Sequence, residues 1–187
     1  MITRIEALNY RCLRYIARDL GSFQVLVGPN ASGKTTFLDV IAFLKDIVTD
    51  GLEAALTNRT TNPEELLYAR QGDHFEMAIE ARIPDALREK ISKPEMDTAR
   101  YEISIGFDDS LKQFEFKGEK FLLKLGNDRK SAPRMLFPML LDAPESLLTA
   151  KGRPNTKVVV NKVSGGNDNF YSEIYKEGGK GWAPSFK

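Results

Sequence analysis

The sequence has one cysteine, Cys12, and one histidine, His74. A single thiol closes no internal disulfide and builds no cysteine-based zinc site, which makes a reducing compartment the default expectation. A lone imidazole makes neither a triad nor a metal cluster. Net charge is also scarce: 27 basic side chains against 26 acidic ones leave +1. No global field therefore draws the chain to nucleic acid or anionic lipid, and such a partner must be met by a local patch. The longest apolar runs, residues 40–44 and 158–160, fall far short of a membrane span. Met1-Ile2-Thr3-Arg4 lacks the apolar block of a signal peptide. These absences predict a soluble, cytoplasmic protein without a membrane partner. What is present suffices to fold: 187 residues, 42% apolar and 28% charged, match one ordinary domain with a closed core.

Residues 23–48 carry the chemistry. Phe23-Gln24-Val25-Leu26-Val27 is a short apolar run with β-branched members and predicts a buried strand. Gly28-Pro29-Asn30-Ala31-Ser32-Gly33-Lys34-Thr35-Thr36 follows and satisfies G-x-x-x-x-G-K-[ST]. Phe37, Leu38, Ile41, Leu44, Ile47 and Val48 then step by three or four, the period of a helix burying one face. Asp50-Gly51 supplies its stop signal. Each residue type in the loop has a physical task. Gly28 and Gly33 allow backbone angles that let amide groups converge on phosphate oxygens. A helix beginning beneath the phosphates turns its unpaired N–H groups and positive dipole end toward the anion. Lys34 adds a full positive charge, the Thr35 hydroxyl is a hard oxygen ligand for Mg²⁺, and Thr36 is expected to donate to the α-phosphate. The strand before the loop and the helix after it are the context this motif requires, so binding of ATP with Mg²⁺ is the working expectation.

The N-terminus also resembles a family. Asn9-Tyr10-Arg11 at the end of a first strand, the Gly-Pro-Asn-Ala-Ser-Gly-Lys-Thr loop, and Leu38-Asp39-Val40-Ile41 in the following helix are similar to the N-termini of SMC-, RecF- and OLD-like ATPases, the ABC-class heads. The resemblance covers roughly the first 45 residues. It implies that Arg11 reaches the phosphates from the edge of the site and that Asn30 lies beside the γ-phosphate. It also implies a second copy of the head as an ATP-dependent partner, and raises DNA as a partner of the complete protein.

Beyond the helix, residues 52–70 read as helical pieces, with Asn62 as N-cap and Pro63 at the first helical position. Residues 74–83 and 100–125 alternate apolar and polar side chains: Phe75, Met77, Ile79 and Ala81 against Glu76, Glu80 and Arg82, and Tyr101, Ile103, Ile105 and Phe107 against Glu102 and Ser104. This predicts an antiparallel meander with one wet face, turned at Asp108-Asp109-Ser110 and Lys117-Gly118-Glu119. Residues 85–96 read as a charged surface helix broken near Pro94, and 134–149 as an apolar stretch interrupted by Pro138 and Pro144. Residues 157–162 and 169–175 read as a hairpin around 164–168, and 176–187 as a loose tail.

Two segments imitate the missing ATPase motifs. Residues 139–145 resemble an apolar run ending in Asp-Glu, and Val163-Ser164-Gly165-Gly166-Asn167 resembles a signature. In the family the signature precedes the Asp-Glu strand, whereas here the order is reversed. Ala143 stands where the catalytic glutamate belongs, so Asp142 and Ser164 read as turn residues. Gln71 is the nearest candidate for a metal-coupling glutamine. The expected architecture is α/β: the N-terminal lobe of a P-loop ATPase head, spanning 1–187 and incomplete. Within it, 1–50 is the strand, loop and helix core, 71–125 the antiparallel β subdomain, and 126–187 a helical and hairpin extension. Such a piece is expected to bind ATP weakly or not at all and not to hydrolyse it; no catalytic residue is assigned. Two other readings stand beside this one. One is a small-molecule kinase with a lid in 52–96, which Arg59, Arg70 and Arg82 are too scattered to equip. The other is a nucleotide-gated interaction module. Lys112, Lys117, Lys120, Lys124, Arg129 and Lys130 come nearest to a DNA-binding patch, but their acidic neighbours favour a charge-balanced face.

Overall fold

β1 (Ile2–Tyr10) is the spine of the fold. The computed structural model describes residues 1–108, 113–126, 137, 141–164, 166 and 168–170. β1 turns at Arg11 and Cys12 into β2 (Leu13–Asp19), then come α1 (Lys34–Asp50), α2 (Leu52–Thr57) and two 3₁₀ turns, Pro63–Leu66 and Tyr68–Arg70. The chain continues through β3 (His74–Arg82), α3 (Asp85–Arg88), β4 (Thr98–Asp108), β5 (Gln113–Lys124), β6 (Thr156–Val163) and the two-residue β7 (Asn169–Phe170). The strands form one sheet in the order β2-β1-β3-β4-β5-β6-β7, and every named pair is antiparallel.

One face of the sheet is apolar because alternation delivers Ile5, Ala7, Ile16, Met77, Ile103 and Ile105 to the same side, where α1 lies. Tyr10, Phe43 and Phe75 form a mutual aromatic contact there, with ring centroids 5.3–5.9 Å apart. α1 buries Phe37, Val40, Phe43, Leu44 and Ile47, each worth about 1.5–3 kcal/mol of burial. The face keeps Phe37, Leu44 and Ile47 of those read in the sequence, with Ile41 packed against it, and adds Val40 and Phe43. Leu38 is 55% and Val48 73% exposed, because α1 carries apolar side chains on two sides and the described sheet covers only one. Gly51 ends the helix as expected, at φ 88, with its N–H on the Ile47 carbonyl.

Four further expectations need correction. Residues 23–27 lie in no strand; Phe23, Val25 and Val27 are 84%, 61% and 60% exposed. β-Propensity becomes a strand only when a neighbouring ladder receives it, and no described strand borders this run. β2 was not anticipated at all, since its apolar residues are interrupted by Arg14 and Arg18; the tight Tyr10↔Leu13 pairing across Arg11 (φ 49) sets it. The helix at 85–96 shrinks to Asp85–Arg88. Finally, the face predicted to be wet is buried.

That second face carries a ladder of alternating sign: Arg4 opposite Asp19 on one side and Glu80 on the other, then Arg100 opposite Glu80. Glu6, Glu76, Glu80, Glu102 and Ser104 are all buried on it, because residues 146–149 lie across it as a strap. Glu76 accepts from the Ser146 hydroxyl and the Leu147 amide, and Glu102 from the Thr149 amide and hydroxyl. Arg100 and Lys120 donate to the Leu147 and Thr149 carbonyls. Leu147 fills a small apolar patch with Leu8 and Ala78. Every buried charge meets a partner, as burial requires.

Candidate functional site

Residues 28–33 form a turn that leads directly into α1, whose first residues are Lys34, Thr35 and Thr36. Gly33 adopts the left-handed conformation (φ 89, ψ 11) at the helix N-cap, and Ala31 is also left-handed at φ 61. A Cβ at Gly33 would meet Leu13 Cδ2 at 2.9 Å and Cys12 Sγ at 3.1 Å, so both the angle and the space demand glycine. The first helical bond runs from the Phe37 amide to the Gly33 carbonyl at 2.8 Å. No side chain caps this end and no acidic residue lies in the first turn, so the amides preceding Phe37 have no helical acceptor and the positive dipole end is uncompensated.

Lys34 folds back over the loop. Its Nζ donates to the Gly28 carbonyl (2.9 Å), the Pro29 carbonyl (2.6 Å) and the Ser32 hydroxyl (3.3 Å). Neutral oxygens take its three protons, and among the described residues no carboxylate neutralises it. Thr35 is exposed and Thr36 half-buried, its Oγ1 3.2 Å from the Cys12 thiol. Asn30 and Ala31 are exposed at the turn. Gly28, Asn30, Ala31, Ser32, Gly33, Lys34, Thr35 and Thr36 are thus brought into one continuous turn and helix start.

Arg11 stands apart from it. Its guanidinium lies 3.6 Å from Asp39, one turn beyond Thr35, and donates to the Arg59 carbonyl at 3.4 Å. Asp39 is a hub that sequence reading overlooked. It also accepts from the Tyr10 hydroxyl at 2.5 Å and from Arg59 Nε at 3.0 Å. Burial, reinforced by Asp39, pushes the Tyr10 phenol well above its ordinary range, so it stays a neutral donor. Arg59 reaches on to Asp46 at 2.8 Å and covers the Phe43 ring at 4.7 Å. The available signal was Asp39 and Asp46 on one side of a helix at a spacing of seven, with arginines before and after it.

The other singled-out residues lie elsewhere. Gln71 is exposed on the turn before β3. His74 pairs with Asp73 at 2.7 Å, which holds the Asp73 carboxyl below its usual range. Asp142 is exposed, and Ser164 donates to Glu115 at 3.0 Å where β6 ends. Residues 109–112, 127–136, 138–140, 165, 167 and 171–187, which include Lys112, Arg129, Lys130, Pro138, Gly165 and the expected tail, lie outside the described residues. Of the basic residues once grouped as a patch, Lys117 meets Glu115, Lys120 the Thr149 carbonyl, and Lys124 Glu80. Arg59 is tied to Asp39 and Asp46, and Arg70 to Glu65, while Arg82 is exposed at the end of β3. Among the described residues no cluster suits a metal ion, and no helix is long and apolar enough to cross a membrane.

The OLD nuclease of Thermus scotoductus is 46% identical over 41 residues, a stretch that is 22% of this chain and 8% of that nuclease. A family model described as an AAA ATPase domain matches residues 1–122. That span is more than half of the chain and takes in β1, the loop, α1, β3, β4 and most of β5, so the chain belongs to the AAA ATPase domain family.

Proposed function

We propose that residues 28–36 hold the triphosphate of Mg-ATP, and that this chain is the phosphate-binding lobe of an OLD-like, SMC/RecF-related ATPase head. The observation that carries the reading is the uncapped, acid-free start of α1 directly under a left-handed Gly33 and a lysine that, among the described residues, has no carboxylate partner. Lys34 exchanges the Gly28 and Pro29 carbonyls for phosphate oxygens, and the free amides of the first turn supply the remaining donors. Asn30 lies beside the γ-phosphate and Thr36 donates to the α-phosphate. Arg11 approaches from the edge once it releases Asp39. The exposed Thr35 hydroxyl suits Mg²⁺, which neutralises phosphate charge and fixes phosphate geometry when bound. In the complete protein a second copy closes over the γ-phosphate, and ATP binding and hydrolysis serve DNA-related or phage-defence work. The exposed Val25, Val27, Leu38 and Val48 support a lobe that packs against further structure.

The chain alone is expected to hold Mg-ATP weakly and to release no phosphate above background. Cys12 is exposed, is the sole thiol, and lies beside Thr36, so its rate of alkylation by a maleimide reports occupancy of the loop. Mg-ATP slows that rate in the wild type. In Lys34→Ala, which loses charge-assisted bonds worth about 1.5–3 kcal/mol, half-protection requires roughly ten- to a hundredfold more nucleotide. Equal protection in both proteins removes the proposal. Steady-state phosphate release that Lys34→Ala abolishes shows that the hydrolytic parts are present after all.

A further inference from the structure

Resting on that reading, we propose that Phe137 is a positioning residue for the phosphate loop, acting on it from a segment a hundred residues downstream. Phe137 is 3% exposed and touches the loop at four places. Its amide donates to the Val27 carbonyl at 3.1 Å, at the point where the chain enters the loop. Its own carbonyl lies against Gly28, 2.3 Å from where a Cβ would stand. Its ring packs on Phe37 in the first turn of α1, centroids 5.6 Å apart and planes at 58°, and reaches within 3.8 Å of a Cβ position at Gly33.

The side chain and the backbone N–H and C=O of one residue therefore connect both ends of the turn that the two glycines bound. Residues 23–27 lie in no strand, so the entry to the loop lacks the ladder that would hold it, and the Phe137 amide supplies a hydrogen bond in its place. The ring then fixes the start of α1 relative to that entry. A loop whose amides must converge on an anion within a few tenths of an ångström depends on both ends being held. Phe137 touches no phosphate in this arrangement; it acts through Val27, Gly28 and Phe37. Downstream, the chain passes from the α1 side of the sheet at Phe137 to the opposite face at Leu147, where Glu76 and Glu102 hold the strap.

The test compares Mg-ATP protection of Cys12 in wild type, Phe137→Ala, Phe137→Leu and Lys34→Ala, each with its thermal midpoint. The expected result is a half-protecting Mg-ATP concentration raised by about tenfold or more in Phe137→Ala. Phe137→Leu, which keeps an apolar contact with Phe37, gives a smaller rise. Both effects are measured well below each protein's melting temperature. A purely structural role lowers the midpoint but leaves protection of the folded protein unchanged, and that outcome overturns the inference. If Phe137→Ala does not fold, Phe137→Leu decides alone, through protection equal to or weaker than wild type. Protection lost in Lys34→Ala but kept in both Phe137 variants removes this inference only. Equal protection in wild type and Lys34→Ala removes the nucleotide site itself.

Discussion

Arg100 is buried against three carboxylates: its Nε donates to Glu102 at 2.5 Å and its NH1 to Glu80 at 3.0 Å and to Glu6. Burial alone pushes the Glu6 carboxyl up, but the Arg4 hydrogen bond and the charges of Arg100 and Arg4 outweigh it and lower its pKa from 4.5 to about 2. A carboxyl depressed on folding stabilises fully above its unfolded pKa and loses that contribution as pH falls through its folded one. The wild type should therefore lose on the order of 3 kcal/mol between about pH 4.5 and pH 2 from this group. Glu6→Gln should flatten that part of the curve, which urea midpoints measured across the acid range would show. An unchanged acid slope in Glu6→Gln denies Glu6 this role. Arg100→Met leaves carboxylates buried without their cation and should cost about 3–5 kcal/mol at neutral pH, read from the same titrations. The residue scale also explains a misreading. Glu76, Glu80 and Glu102 alternate with apolar neighbours as a wet face does, and alternation cannot tell solvent from a strap of backbone amides.

At the scale of the element, α1 shows how far periodicity reaches. Its length, its start after Gly33 and its stop at Gly51 were all legible, because they rest on local backbone preferences. The buried side was legible in part: Phe37, Leu44 and Ile47 are buried as read, whereas Leu38 and Val48 satisfy the helical period as well as Val40 and Phe43 do and lie outside the contact. Val40 and Phe43 are fully buried where the sheet presents Tyr10 and Phe75 to them. Phe43→Ala should destabilise the chain by about 3–5 kcal/mol, whereas Leu38→Ser should stay within about 0.5 kcal/mol. Denaturant midpoints separate the two, and a large cost for Leu38→Ser would place that side chain in a contact the fold does not contain. The antiparallel meander of β3, β4 and β5 was legible for the same reason as the helix, its period of two being local, but Lys117-Gly118-Glu119, read as a turn, lies inside β5 and pairs with β4. β2 was not, since a hairpin closed by Arg11 and Cys12 carries no glycine signal.

At the scale of the molecule, a single antiparallel sheet divides two chemistries. The α1 side is apolar and carries the loop of residues 28–33 at the helix start; the opposite side is a paired charge lattice sealed by residues 146–149. In the run from Phe23 to Val27 beside the loop, Leu26 packs against the core while Phe23, Val25 and Val27 are turned to solvent. Replacing Val25 and Val27 together by threonine should lower binding of an apolar dye such as ANS and leave the melting temperature within a few degrees. A fall of ten degrees or more would mean that these side chains already pack inside the fold.

The amino-acid sequence by itself determined what depends on neighbours along the chain: the tight loop with its two glycines and lysine, the helix that follows, its glycine stop, the alternating strands and the family. These follow from backbone sterics and side-chain period, which act over a few residues. Tertiary structure alone decided that Val40 and Phe43 of α1 are buried while Leu38 and Val48 are not, that residues 23–27 join no strand, that four glutamates lie inside, that Asp39 gathers Tyr10, Arg11 and Arg59, and that Phe137 reaches the loop. Each of these depends on groups distant in sequence meeting at a few ångströms, where desolvation and pairing, rather than propensity, set the outcome.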